Sequence, residues 1–137
     1  MSNEITKESI ERQAKVTAEK LASKYEEAVS VWRGQVSSGT ASYFLVSDVG
    51  PVVRADYQAR SLREMLRCDH GESMESAVAY LRARLTKDLL SNADWWGSTD
   101  PFTCAVAEAI REAKSDLLNS DLAQIEAILA LRDQVEG

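Results

Sequence analysis

The stretch ASYFLVSDVGPVVRAD, residues 41–56, decides between an all-helical chain and one that mixes helices with a sheet. Tyr43-Phe44-Leu45-Val46 is short, apolar and partly β-branched, which suits a strand and a buried helical turn equally well. The rest of the chain breaks the tie. No second strand pattern exists, and a lone strand has nothing to pair with. The apolar segment near residues 42–49 is therefore read as a buried helical or irregular piece. Gly50-Pro51 then opens a helix, with Pro51 at its first position, where a missing N–H costs nothing. Ala55, Ala59, Leu62 and Leu66 form its apolar row, and Cys68-Asp69-His70-Gly71 ends it.

Helical periodicity continues on both sides. Upstream, from about Thr6 to Gln35, Ile10, Ala14, Ala18 or Leu21, Tyr25, Ala28 and Trp32 recur at steps of three and four. Gly34 and Ser37-Ser38-Gly39-Thr40 supply the stop. Downstream, Ser73 is placed to cap a helix whose row is Met74, Val78, Leu81, Leu85 and Leu89. Thr99 or Asp100 caps a fourth, with Pro101 first and Phe102, Val106, Ala109 or Ile110, Ala113 and Leu117 on its buried face. Asn119-Ser120-Asp121 reads as a tight break before a fifth helix lined by Leu122, Ile125, Leu129 and Ala130. The expected fold class is all-α: about five amphipathic helices in a single compact bundle, one domain over residues 1–137.

Composition narrows the function. The 137 residues are 45% hydrophobic and 28% charged, ordinary for a soluble domain. No apolar run approaches the ~20 residues that a bilayer crossing needs, and MSNEITKESIERQ lacks an apolar signal core. Two cysteines, Cys68 and Cys104, make no disulfide framework, so a cytoplasmic setting is expected. The net charge of -6 is lopsided. Residues 88–137 carry 3 Lys/Arg against 10 Asp/Glu, a net of -7, and residues 1–87 carry 13 against 12, a net of +1. An acidic half repels nucleic acid and favours a basic partner.

Four groups of side chains are candidate sites. Glu108, Glu112 and Asp116 stack at i, i+4, i+8 as an acidic row, with Arg111 and Lys114 near enough to relieve the like-charge strain. Arg60, Arg63 and Arg67 form a basic row on the second helix, a phosphate- or carboxylate-binding ridge if local acids such as Asp56 and Glu64 leave it free. Trp95 and Trp96 sit in the link SNADWWGSTDPF; one is expected to seal the bundle end and the other to stand out as an aromatic anchor. Cys68 and His70 raise a metal or Cys–His reading, but one C-x-H and one distant cysteine do not supply a zinc ligand set. The plainer reading puts His70 and Gly71 at a helix C-terminus.

Phosphate-loop, dinucleotide, zinc-protease and nucleophile-elbow motifs are missing from the sequence. The expectation is a protein that works by surface contact, without catalysis, cofactor, metal or membrane. Its expected partner is another protein with a basic nucleic-acid-binding surface, and no direct contact with nucleic acid is expected. The concrete form is a small acidic inhibitor of the anti-CRISPR or anti-restriction kind, from a phage or mobile element. The alternatives are an adaptor, a toxin-neutralising immunity protein, or a small enzyme using Cys68 and His70.

Overall fold

The computed structural model describes residues 5–38, 46–67, 73–91 and 101–135. Its elements are α1 (Lys7–Ser38), α2 (Val46–Arg67), α3 (Met74–Ser91) and α4 (Pro101–Asp116). A π-helical turn (Leu117–Asp121), α5 (Leu122–Ala130) and a closing 3-10 turn (Leu131–Gln134) follow without interruption. Every element among the described residues is helical, and together they form the expected all-α bundle. None of these helices is long and apolar enough to cross a membrane.

Local chemistry sets the helix starts. Thr6 and Ser9 cap α1 reciprocally: the Ser9 N–H donates to Thr6 Oγ1 at 3.0 Å and the Thr6 N–H to Ser9 Oγ at 2.9 Å. Ser73 caps α3 as its position implies, accepting the Ser76 N–H at 3.3 Å. Glu11, reaching over from α1, accepts the Met74 N–H as well, tying the two helices at that end.

Two boundaries differ from the sequence reading. Helix α2 begins at Val46, so Pro51 lies inside it rather than at its first position. Proline there removes a single bond, to the carbonyl of Ser47, close to an end where the ladder is already incomplete. Val46–Val49, half of the segment read as helical or irregular, is thus helix, and residues 42–45 lie outside the described residues. Likewise α1 runs through Gly34 to Ser38. Gly34 costs about 1 kcal/mol relative to alanine, which is not enough to stop a helix that packs along its length.

The larger correction is at Asn119-Ser120-Asp121, where no break occurs. Backbone angles stay helical through Asp116, Asp121 and Leu122, and the Leu122 N–H donates to the Leu117 carbonyl, five residues back. The reason lies in the apolar spacing. Ala109, Ala113 and Leu117 step by four, but Leu117 to Leu122 steps by five before Ile125 and Leu129 resume. An unmodified α-helix would swing Leu122 about 140° off the row. One wide turn absorbs the extra residue and keeps both rows on the core, so α4 and α5 are a single rod.

The core is built from the faces that periodicity picks out. Ala14, Ala18, Leu62, Leu81, Leu85, Leu117, Leu122 and Ile125 are essentially inaccessible. On α1 the stripe passes through Ala22 and Val29, leaving Ala28 exposed, and on α5 Ala130 is exposed. Helix α2 packs most extensively on α1 and α4, while α5 touches both α1 and α3. The two helices α1 and α2 run antiparallel: seven residues between them span at most about 29 Å, too little to return along a 22-residue helix about 33 Å long.

Candidate functional site

The acidic row of α4 survives in part. Glu108, Glu112 and Asp116 are all exposed, because Ala109 and Ala113, one position on, turn the other side of the helix into the core. Glu112, however, accepts a charge-assisted bond from Arg54 of α2 at 2.7 Å. Lys114 does not relieve the row: it is buried, its ammonium 5.9 Å from the Tyr57 ring centre and 3.9 Å from Asp88. Glu108 and Asp116 make no ion pair among the described residues, so two of the three carboxylates are free to attract a partner. Among the described residues, other acids of this half are engaged: Asp88 faces Lys114. Glu126 is gripped by Arg82, and Asp121 is buried.

The basic row is also split by local acids. Arg60 pairs with Asp56 one turn back at 2.9 Å. Arg63 is held across to α1 by both oxygens of Glu26, at 2.9 and 2.8 Å, and by Ser23 Oγ at 3.0 Å. That grip holds the Glu26 carboxyl below its ordinary range and raises the Arg63 guanidinium. Glu64 does not serve this row; it pairs with Arg84 of α3 at 2.9 Å. Arg67 has no ion pair among the described residues. Arg33 of α1 comes to the same side, and the four arginines line a groove of about 490 Å³ with Glu26, Asp56, Val29 and Ala59.

Sequence reasoning missed a third polar site. In the π-turn, Asp121 is 2% exposed and lies in the centre of the bundle, yet it is charged chemistry in the middle of an apolar row. The Tyr25 hydroxyl donates to both of its oxygens, at 2.9 and 3.0 Å, and Gln58 Nε2 donates to Oδ2 at 3.1 Å. One carboxyl thereby joins α1, α2 and the α4–α5 rod. Burial pushes the Asp121 carboxyl above its ordinary value against the opposing effect of those donors. Burial, together with the Asp121 bond, raises the Tyr25 hydroxyl in turn. The signal in the sequence was that Asp121 lies four residues after Leu117 and four before Ile125, on the apolar row itself.

A wider groove of about 1650 Å³ runs between α3 and the rod's C-terminal part, with Val78, Ala79, Ala83 and Leu129 among its lining. Ion pairs fence it: Arg82 with Glu126, and Arg132 with both Glu11 and Glu75. Leu90, 78% exposed, stands at its rim. Trp95, Trp96, Cys68 and His70 lie outside the described residues. Among the described residues no cluster of three or more His, Cys, Asp or Glu could hold a metal ion. The described surface carries two carboxylates on α4 that make no ion pair among the described residues, and a group of arginines between α1 and α2. Comparison with protein-family models, curated proteins and solved structures finds no match to this chain.

Proposed function

We propose that the protein works by binding another protein, offering the carboxylates of α4 to a basic surface of the kind that handles nucleic acid. The carrying observation is that Glu108 and Asp116, two helical turns and roughly 12 Å apart, stand exposed with no ion pair among the described residues. Carboxylates so placed compete for arginines and lysines that otherwise grip phosphates, which makes inhibition of a nucleic-acid-processing complex the fitting outcome. An anti-CRISPR or anti-restriction role, in a cytoplasmic host complex, is the concrete form of this reading. The action is stoichiometric blocking, not catalysis.

Charge reversal tests it. The double variant Glu108→Lys/Asp116→Lys keeps two exposed helical positions, so thermal stability should change little, while encounter with a basic partner should slow by tenfold or more at low salt. Proteins cross-linked to the wild type in host lysate should be nucleic-acid-binding, should be displaced by added DNA or RNA, and should be lost with the variant. Recovery of the same set with both forms would sink the proposal.

A further inference from the structure

We infer that the groove between α1 and α2 is an anion site for a polyphosphate chain, held by Arg33, Arg60, Arg63 and Arg67. Among the described residues its lining holds four guanidiniums and two carboxylates, and each of these carboxylates is already paired with one arginine. The site therefore keeps a surplus of two positive charges, carried by Arg33 and Arg67, in a protein whose net charge is -6. Such a local surplus is not explained by solubility, which the acidic remainder already supplies.

The paired arginines are aimed rather than spent. A guanidinium carries five N–H donors in a fixed fork. Glu26 and Ser23 take Nε and Nη2 of Arg63, and Arg60 stands in an ion pair with Asp56, its Nε 2.9 Å from Oδ2. The Nη1 group of Arg63 and both Nη groups of Arg60 remain as donors. Arg63, held by Glu26, loses less freedom on binding and offers Nη1 alone. The forks of Arg33 and Arg67, in no ion pair among the described residues, match phosphate oxygens two at a time.

The spacing sets the ligand class. Arg60, Arg63 and Arg67 advance along α2 by roughly 4.5 and 6 Å. A single phosphate cannot meet all three, whereas a chain of linked phosphates can engage them in succession. The floor is Val29 and Ala59, both buried and apolar, while the guanidiniums stand at the surface, so their attraction for an anion is long-range and falls with salt. At about 490 Å³ the groove falls in the range of small-molecule sites. The polyphosphate can be inorganic or the tail of a nucleotide; the chemistry at the arginines is the same.

Titration calorimetry on the full chain, with tripolyphosphate, ATP and citrate in parallel, tests the site. Tripolyphosphate should bind one per chain, with affinity falling steeply as salt rises, and Arg33→Gln/Arg67→Gln should weaken it at least tenfold. These two residues make no ion pair among the described residues, so the variant's melting curve should match wild type and a loss of binding will not reflect unfolding. ATP binding more tightly than tripolyphosphate would place a nucleoside on the Val29–Ala59 floor, and equal binding would mean that the phosphate chain alone is read. Perturbed NMR signals from the side-chain N–H groups of Arg60 and Arg63 would locate the ligand. Citrate binding as well as tripolyphosphate, an oligonucleotide binding where neither polyphosphate does, or affinity unchanged in the variant would each overturn the inference.

Discussion

Two carboxylates in this protein are each held by donors from another helix, with opposite results. Asp121 is buried at the π-turn under Tyr25 and Gln58, and its proton affinity rises. Glu26 is largely open to water under Arg63, and its proton affinity falls. The donors differ in charge, but the solvent matters more: neutral hydrogen bonds inside the bundle do not repay what a carboxylate loses on leaving water. At the surface, where little solvation is lost, a guanidinium grip dominates. The Asp121 node is thus a device for joining three helices at some cost, and the Glu26 pair is a device for orienting an arginine at almost none.

The largest expected effect tests whether hydrocarbon or polar bonds hold the turn that carries Asp121. Leu117 opens that turn and is fully buried in the core. Leu117→Ala should cost about 2–5 kcal/mol, the range for truncating a buried leucine, read as a shift in the urea midpoint. A loss under about 1 kcal/mol would mean that the wide turn collapses to fill the space and that packing there is soft.

Next in size is the node itself. Asp121→Ala leaves the buried Gln58 amide and the half-buried Tyr25 hydroxyl without their acceptor. The cost is about 1–3 kcal/mol for the buried amide and less for the hydroxyl, which water can reach. The companion variant Asp121→Asn keeps an acceptor for both and should lose much less. Equal losses in the two variants would mean that ionisation, not hydrogen bonding, is what the node supplies.

These two residues also mark where the sequence was legible. The all-α class and the buried faces of α3 and α4 follow from three-and-four spacing, because a core-facing row needs nothing but periodicity to be seen. Leu81 and Leu85 are the plainest cases. The π-turn was not legible: Asn119-Ser120-Asp121 has the composition of a break, and only packing of both rows on one core makes a wide turn cheaper than a loop. The candidate rows were found, but their free charge was not, because Arg54 reaches Glu112 and Glu26 reaches Arg63 from other helices. Arg33 joined the basic row for the same reason: pairing between distant helices leaves no mark in local spacing.

A smaller effect is expected at the surface pair. Glu26→Gln removes one partner of an exposed ion pair, which is worth under about 1 kcal/mol after screening. Stability should barely move at neutral pH, and what does move should vanish in high salt. Its sharper consequence is orientation: the Arg63 side-chain N–H signals should broaden as the guanidinium is released. A loss as large as that of Asp121→Ala would erase the contrast between the two sites.

The finest test is the pH dependence, where the two carboxylates should act with opposite sign. Asp121 binds its proton more tightly in the folded protein than in the unfolded chain. As pH falls from neutral through its raised folded value, the folded state takes up the proton first and is stabilised, and the gain is complete near the ordinary value of about 4. Glu26 is depressed in the folded state, so the unfolded chain protonates first. Its stabilisation is present above its ordinary value and is lost as pH falls through the lower folded one. The windows therefore adjoin, Asp121 acting above the ordinary carboxylate value and Glu26 below it. Urea denaturation across this range should show that Asp121→Asn removes a rise in stability on mild acidification, while Glu26→Gln removes a fall at stronger acid. If Asp121→Asn leaves the upper window unchanged, the carboxyl is solvated more than its burial implies, and the turn breathes enough to admit water.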